Sequence, residues 1–183
     1  MKALVLYDTM GGNTEKVANR IHQTLANADG IEADLVKLDA DTDVDLTAYD
    51  LLFMGSPVVA WLPTKKLMEF GSGQLDAYRK AGKLGPAAPT RPGKFAIAFC
   101  TYAGPHMGER EAVPATKWIG ALLEHLGFRM LDEWHFVGEF HSKPEMNIKG
   151  RMGDIKGRPN ENDLAAVAGR TQGIVAQLEA WLA

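Results

Sequence analysis

"ALVLYDTMGGNTEKVANRI", residues 3 to 21, decides how the rest of the chain is read. Ala3 to Tyr7 is a continuous apolar run, the mark of a strand buried on both faces. From Thr14 onward Val17, Ala18, Ile21 and Leu25 recur at helical spacing, which predicts an amphipathic helix over Thr14–Ala26. Between strand and helix lie two glycines, hydroxyls and an amide, but no lysine. A helix N-terminus offers unpaired amides and about half a positive charge, so it binds a phosphate without a cationic side chain. Gly11 and Gly12 let the backbone approach closely, and Thr9, Asn13 and Thr14 add side-chain donors. The spacing is neither G-x-x-x-x-G-K-[ST] nor G-x-G-x-x-G, so triphosphate and dinucleotide signatures are missing. A terminal monophosphate is the better guest. The competing reading is a Gly-rich turn capped by Thr14.

Outward from this unit, strands and helices alternate. Ile31–Leu38 reads as a second strand, followed by an acidic loop from Asp39 to Asp45. Leu51–Met54 is a third buried strand ending at Gly55, and Lys65–Arg79 a helix. Gly82 to Gly93 is a Gly/Pro-rich connector, Phe95–Phe99 a fourth strand, and Glu111–Leu126 a helix closed by Gly127 at a C-cap position. Phe128–Val137 is the fifth strand, and Asn160–Leu182 the last helix, with acidic residues in its first turn. This order predicts an α/β fold: a doubly wound, five-stranded parallel sheet in three layers, built from right-handed β-α-β units. With strand order 2-1-3-4-5, the loops at Thr9–Thr14, Gly55–Pro63 and Thr101–Gly108 leave neighbouring strands around the switch point and converge on one site.

The bulk properties bound the function. The chain has 183 residues, 46% hydrophobic and 23% charged, the balance of one ordinary globular domain spanning 1–183. A net charge of -3 and the lack of a basic stripe speak against nucleic-acid binding. Cys100 is the only cysteine and has no partner for an internal disulfide, which suits a reducing cytoplasm. No signal-peptide pattern precedes the first strand, and no apolar run reaches the roughly 18 residues of a membrane helix, so membrane insertion is not expected.

Thr9-Met10-Gly11-Gly12-Asn13-Thr14 resembles the FMN-phosphate loop of flavodoxins, usually written [ST]-x-T-G-x-T. The longer "YDTMGGNTEKVA" is similar to the flavodoxin modules of flavodiiron proteins, and the likeness extends over residues 1 to about 137 and the last helix. Gly11 departs from the pattern, standing where many flavodoxins carry a threonine. The resemblance implies FMN as cofactor and the flavodoxin-like strand order. It also implies a second flavin loop in Gly55 to Trp61, with Pro57, Val58 and Val59 around the ring edge and ribityl chain and Trp61 over a ring face. A third loop follows in Thr101, Tyr102, Ala103 and Gly104, with backbone amides at the pyrimidine end and Tyr102 beside the ring. A flat aromatic ligand wants apolar or aromatic faces at stacking distance.

By the same resemblance the chain is an electron-transfer protein serving redox partner proteins. The alternative is an NAD(P)H-dependent quinone or flavin reductase of the same fold, acting on a small quinone. No pocket-loop side chain has the paired partners of a dedicated acid, base or nucleophile, so no catalytic residue is expected. In "DEWHFVGEFH", strand alternation places Glu133, His135, Glu139 and His141 on one face. They read either as metal ligands or as the solvated face of an edge strand. The extended loop at about 138–159, with Arg151, Asp154 and Arg158 among glycines, leaves open a lid, a nicotinamide-phosphate contact, a homodimer contact or a self-contained loop.

Overall fold

The computed structural model describes residues 1–85, 87 and 90–182. Part of the Gly/Pro connector at 82–93 falls outside the described residues. The elements run β1 (Lys2–Tyr7), α1 (Asn13–Ala26), β2 (Glu32–Lys37), β3 (Leu51–Pro57), α2 (Lys65–Lys80), β4 (Phe95–Tyr102), α3 (Val113–His125), β5 (Arg129–Val137), α4 (Met146–Lys149) and α5 (Glu161–Leu182). The five strands form one parallel sheet in the order β2-β1-β3-β4-β5, as expected. The β2–β3 connection carries only a 3-10 turn, Leu46–Ala48.

Alternation along the strands sorts the core into two layers. Ala3, Val5, Leu51, Phe53, Ile97 and Phe99 pack with Val17 and Ile21 of α1 and Val167 and Leu178 of α5. Leu4, Leu6, Leu52, Met54 and Ala98 pack on the opposite face with Leu67 of α2 and Ile119 and Leu123 of α3. Because both faces are covered, the central strands read as unbroken apolar runs. Gly55 is forced by this packing: a Cβ there would overlap the ring of Phe99, its register partner on β4.

Several boundaries differ from expectation, each for a tertiary reason. β3 runs on to Pro57 and β4 to Tyr102, because Ser56 pairs with Cys100, Pro57 with Thr101 and Tyr102 with Val137. Pro57, Thr101 and Tyr102 are therefore strand-end residues, more rigidly held than loop residues. The helix expected from Glu111 starts at Val113, after a 3-10 turn at Gly108–Glu111. Pro114 lies in its first turn, the place where a missing N–H costs no hydrogen bond. The segment after β5 contains the single helical turn α4. Among the described residues no helix is long and apolar enough to cross a membrane.

Candidate functional site

At the carboxyl ends of β1, β3 and β4 the chain encloses a cleft of about 650 Å³. Of the residues expected to meet there, Thr9, Met10, Gly11, Asn13, Thr14, Pro57, Val58, Trp61, Thr101, Tyr102, Ala103 and Gly104 line it. Gly12 and Val59 do not. Gly12 caps α1 at φ 89°, and Val59 pairs with Leu62 across a tight turn.

The first loop is built around the start of α1. Gly12 has no side chain with which to cap the helix, so its first amides are left without a side-chain partner. The Gly12 amide donates to Thr9 Oγ1 at 3.0 Å, and that hydroxyl keeps its own proton. Thr14 and Thr101 are buried and hydrogen-bond to each other through their hydroxyls at 2.8 Å, joining the first loop to the third. Either hydroxyl can be the donor, so one of the two keeps a proton for a further acceptor. Asn13 Nδ2 donates to the Glu139 carbonyl at 2.9 Å, while its Oδ1 is buried without a partner. Asp8 anchors the base of the loop: it accepts from Thr64 Oγ1 at 2.6 Å and from Lys66 Nζ at 3.0 Å.

The second loop is a narrow turn. The Val58 amide donates to the Thr101 carbonyl at 2.9 Å, and Val59 and Leu62 exchange backbone hydrogen bonds of 2.8 and 3.0 Å. Between them Ala60 and Trp61 both take positive φ, 47° and 68°, the combination of a type I′ turn. Neither residue is the glycine or asparagine such a turn favours, so strain is stored there. Trp61 is left 54% exposed at the cleft.

The third loop turns at Gly104, with φ 55°, where a Cβ would press on the backbone of Gly108. Glu111 Oε1 accepts from the amides of His106 and Met107 at 2.8 and 2.7 Å, fixing the loop's course. The Tyr102 ring meets His135 edge-on, with centroids 6.5 Å apart. Burial, then the charge of Glu109, pushes the Tyr102 phenol up to about 12, so it is neutral at ordinary pH. Burial pushes the Cys100 thiol up as well, which makes it a packing residue and not a reactive thiol.

The 138–159 segment, for which a lid was one of the expectations, supplies a fourth wall. Gly138, Glu139, Phe140, His141, Ser142, Lys143 and Met146 also line the cleft, as do Ala60, Pro105, His106 and Glu111. The unusual length of the 138–159 segment was the one sequence signal pointing to this wall. The segment is tied down rather than free. Phe140 is held through both backbone groups by Asn147, at 2.6 and 3.2 Å, and the Arg151 amide donates to the Pro105 carbonyl at 2.8 Å. Arg158 pairs with Asp163 at the start of α5.

The reading of "DEWHFVGEFH" needs correction. Trp134 and Phe136 do join the α1/α5 side of the core, but His135 is not on a solvated face. It hydrogen-bonds to Thr116 of α3 and to Glu109, each at 2.9 Å, and Thr116 also donates to Glu133 at 2.9 Å. The face of an edge strand is covered here by α3. The strand ends at Val137, so Glu139 and His141 follow the chain into the cleft wall. Among the described residues no group of three or more His, Cys, Asp and Glu side chains is placed to hold a metal ion.

Comparison with known proteins supports the same assignment at the level of family. Residues 5–83 match the family described as Flavodoxin. A flavodoxin of Aquifex aeolicus (strain VF5) is 30% identical over 138 residues, 75% of this chain and 68% of that protein. In structure the chain is similar to flavodoxin 1 of Bacillus cereus, with TM-score 0.68, 14% identity and coverage of 96% of this chain and 98% of that one. It is also similar to the rubredoxin oxygen:oxidoreductase of Desulfovibrio gigas, with TM-score 0.62 and 17% identity, over 100% of this chain and 37% of that longer one.

Proposed function

This chain belongs to the flavodoxin family, whose members bind FMN and transfer electrons to redox partner proteins, and from that premise we propose that the cleft binds FMN and that the protein works as an electron carrier. The observation that carries the proposal is the cleft itself, lined by the loops leaving β1, β3 and β4. The residues fit the cofactor. The α1 N-terminus has no side-chain cap, and Gly11 and Asn13 line the cleft beside it, where a phosphate would meet the first amides of the helix. Val58, Trp61 and Tyr102 offer the apolar and aromatic surface that a flat heterocycle requires. FMN, when bound, supplies the redox chemistry by taking up and giving back electrons at its ring.

The protein's part is to hold and shield. Thr9 and the first amides of α1 would hold the phosphate; Pro57, Val58 and the Ala103-Gly104 backbone would hold the ring edge, and Trp61 and Tyr102 its faces. Val59 and Gly12 shape their loops from outside the cleft. Met10 and Trp61 line the cleft yet are 75% and 54% exposed, apolar surface suited to a transient contact with a partner protein. We assign the chain to one domain acting in the cytoplasm.

Nothing in the cleft or in the comparisons specifically favours the NAD(P)H-dependent reductase. The deciding experiment is anaerobic mixing of the FMN-loaded protein with NADH or NADPH. A carrier keeps its flavin absorbance for minutes, whereas rapid bleaching by either nucleotide establishes the reductase.

A further inference from the structure

We propose that His141, carried by the segment after β5, makes the contact to the phosphate of FMN that a side chain at position 11 would otherwise make. The inference rests on the FMN reading of the cleft. A Cβ at Gly11 would overlap His141 Cδ2 and lie 2.9 Å from His141 Nε2. The imidazole therefore fills the volume that a residue larger than glycine would need. Gly11 and His141 are packed as a pair: a hydroxyl-bearing residue at 11 would require the imidazole to move out of this space.

The histidine is brought there by a braced backbone. Asn13 Nδ2, at the first residue of α1, donates to the Glu139 carbonyl at 2.9 Å. Gly138 makes that approach possible, since a Cβ there would stand 2.7 Å from Asn13 Nδ2. On the far side Asn147 grips both backbone groups of Phe140, next to His141. Glu139 Oε1 lies 3.6 Å from His141 Nδ1, leaving Nε2 as the ring nitrogen nearer Gly11. Lys143 lines the same wall and adds the positive charge that the first loop lacks. A ring nitrogen at Gly11 and a lysine in the same cleft wall, with an uncapped helix start beside them, suit an oxyanion.

The test is equilibrium titration of the apoprotein with FMN and with riboflavin, followed by quenching of flavin fluorescence. Riboflavin has the same ring but no phosphate. His141→Ala should weaken FMN by about ten-fold or more, the loss of a hydrogen bond to a charged group, and leave riboflavin unchanged. His141→Gln, which keeps a donor, should recover part of the loss. Gly11→Thr should impair FMN binding in the parent chain, where it collides with the imidazole, and improve it in the His141→Ala background. The His141 side chain is half exposed, so these variants should fold. Equal weakening of both flavins by His141→Ala, or no change in either, overturns the inference while leaving the FMN site intact. A parent protein that binds neither flavin overturns the site reading and this inference together.

Discussion

The hydroxyl pair of Thr14 and Thr101 yields the most exacting stability prediction. The two residues are 0% and 4% exposed, and their Oγ1 atoms lie 2.8 Å apart, one from the start of α1 and the other from the end of β4. Thr14→Val removes one hydroxyl and leaves that of Thr101 buried without this partner. An unsatisfied buried hydroxyl costs about 1–3 kcal/mol. Thr101→Val should cost a similar amount from the other side. Replacing both removes the polar pair altogether and should be nearly neutral, so the coupling energy equals the sum of the two single losses, about 2–6 kcal/mol. Urea unfolding of the four apoproteins measures each term. Strictly additive losses, with the double variant as unstable as the sum of the singles, would refute the pairing. The same variants bear on ligand binding: if Thr14 donates to Thr101, Thr14→Val weakens both flavins alike, and if Thr101 donates, the Thr14 proton is free for the phosphate and FMN alone is weakened.

The remaining predictions concern the core and the fourth wall. All four tyrosines, Tyr7, Tyr49, Tyr78 and Tyr102, have phenols raised, first by burial and then by the carboxylates Glu15, Asp34, Asp45 and Glu109 respectively. A phenol raised on folding is neutral in both states below about 10, where its contribution is fully present. Stability should therefore hold up to about pH 10 and fall as pH rises through 12, the value for Tyr7, Tyr49 and Tyr102, as tyrosinate absorbance and urea unfolding would record. Asn147→Ala should free Phe140 and cost about 1–3 kcal/mol; tryptic cleavage after Lys149, which precedes Gly150, should accelerate, and an unchanged digestion rate would show that the wall does not depend on this clamp. Gly55→Ala should lower the melting temperature, with an overpacking cost of about 1–3 kcal/mol, because the new methyl meets the Phe99 ring. Full stability in that variant would show that the ring moves aside freely.

The parts legible in the sequence are those decided by local pattern. The runs Ala3–Tyr7 and Leu51–Met54 are apolar on both faces, and α1 between them shows a single apolar stripe, so the layering followed from pattern and crossover handedness, while the strand order was implied by the resemblance of the first loop. Gly11, Gly12 and Gly104 marked two of the three loops. What stayed hidden depends on partners far along the chain. Thr101 and Tyr102 extend β4 because Phe136 and Val137 lie opposite them, and no local signal near residue 101 reports that. The turn at Ala60-Trp61 carries no glycine or asparagine to announce its positive φ angles. His135 alternates as a solvated residue would, and only the packing of α3 and Glu109 against it leaves it half-buried and hydrogen-bonded. The fourth wall depends on a hydrogen bond from Asn13 to Glu139, across 126 positions of sequence. Periodicity has nothing to say about such a contact.

The central claim, an FMN site at the carboxyl ends of β1, β3 and β4, is tested most directly by flavin content. Protein purified without added cofactor is denatured, and the released chromophore is identified and counted against protein. The account predicts yellow protein that releases FMN at one per chain, since the first loop is built for a terminal phosphate. Colourless protein that takes up no FMN on titration, or release of FAD in its place, would contradict it.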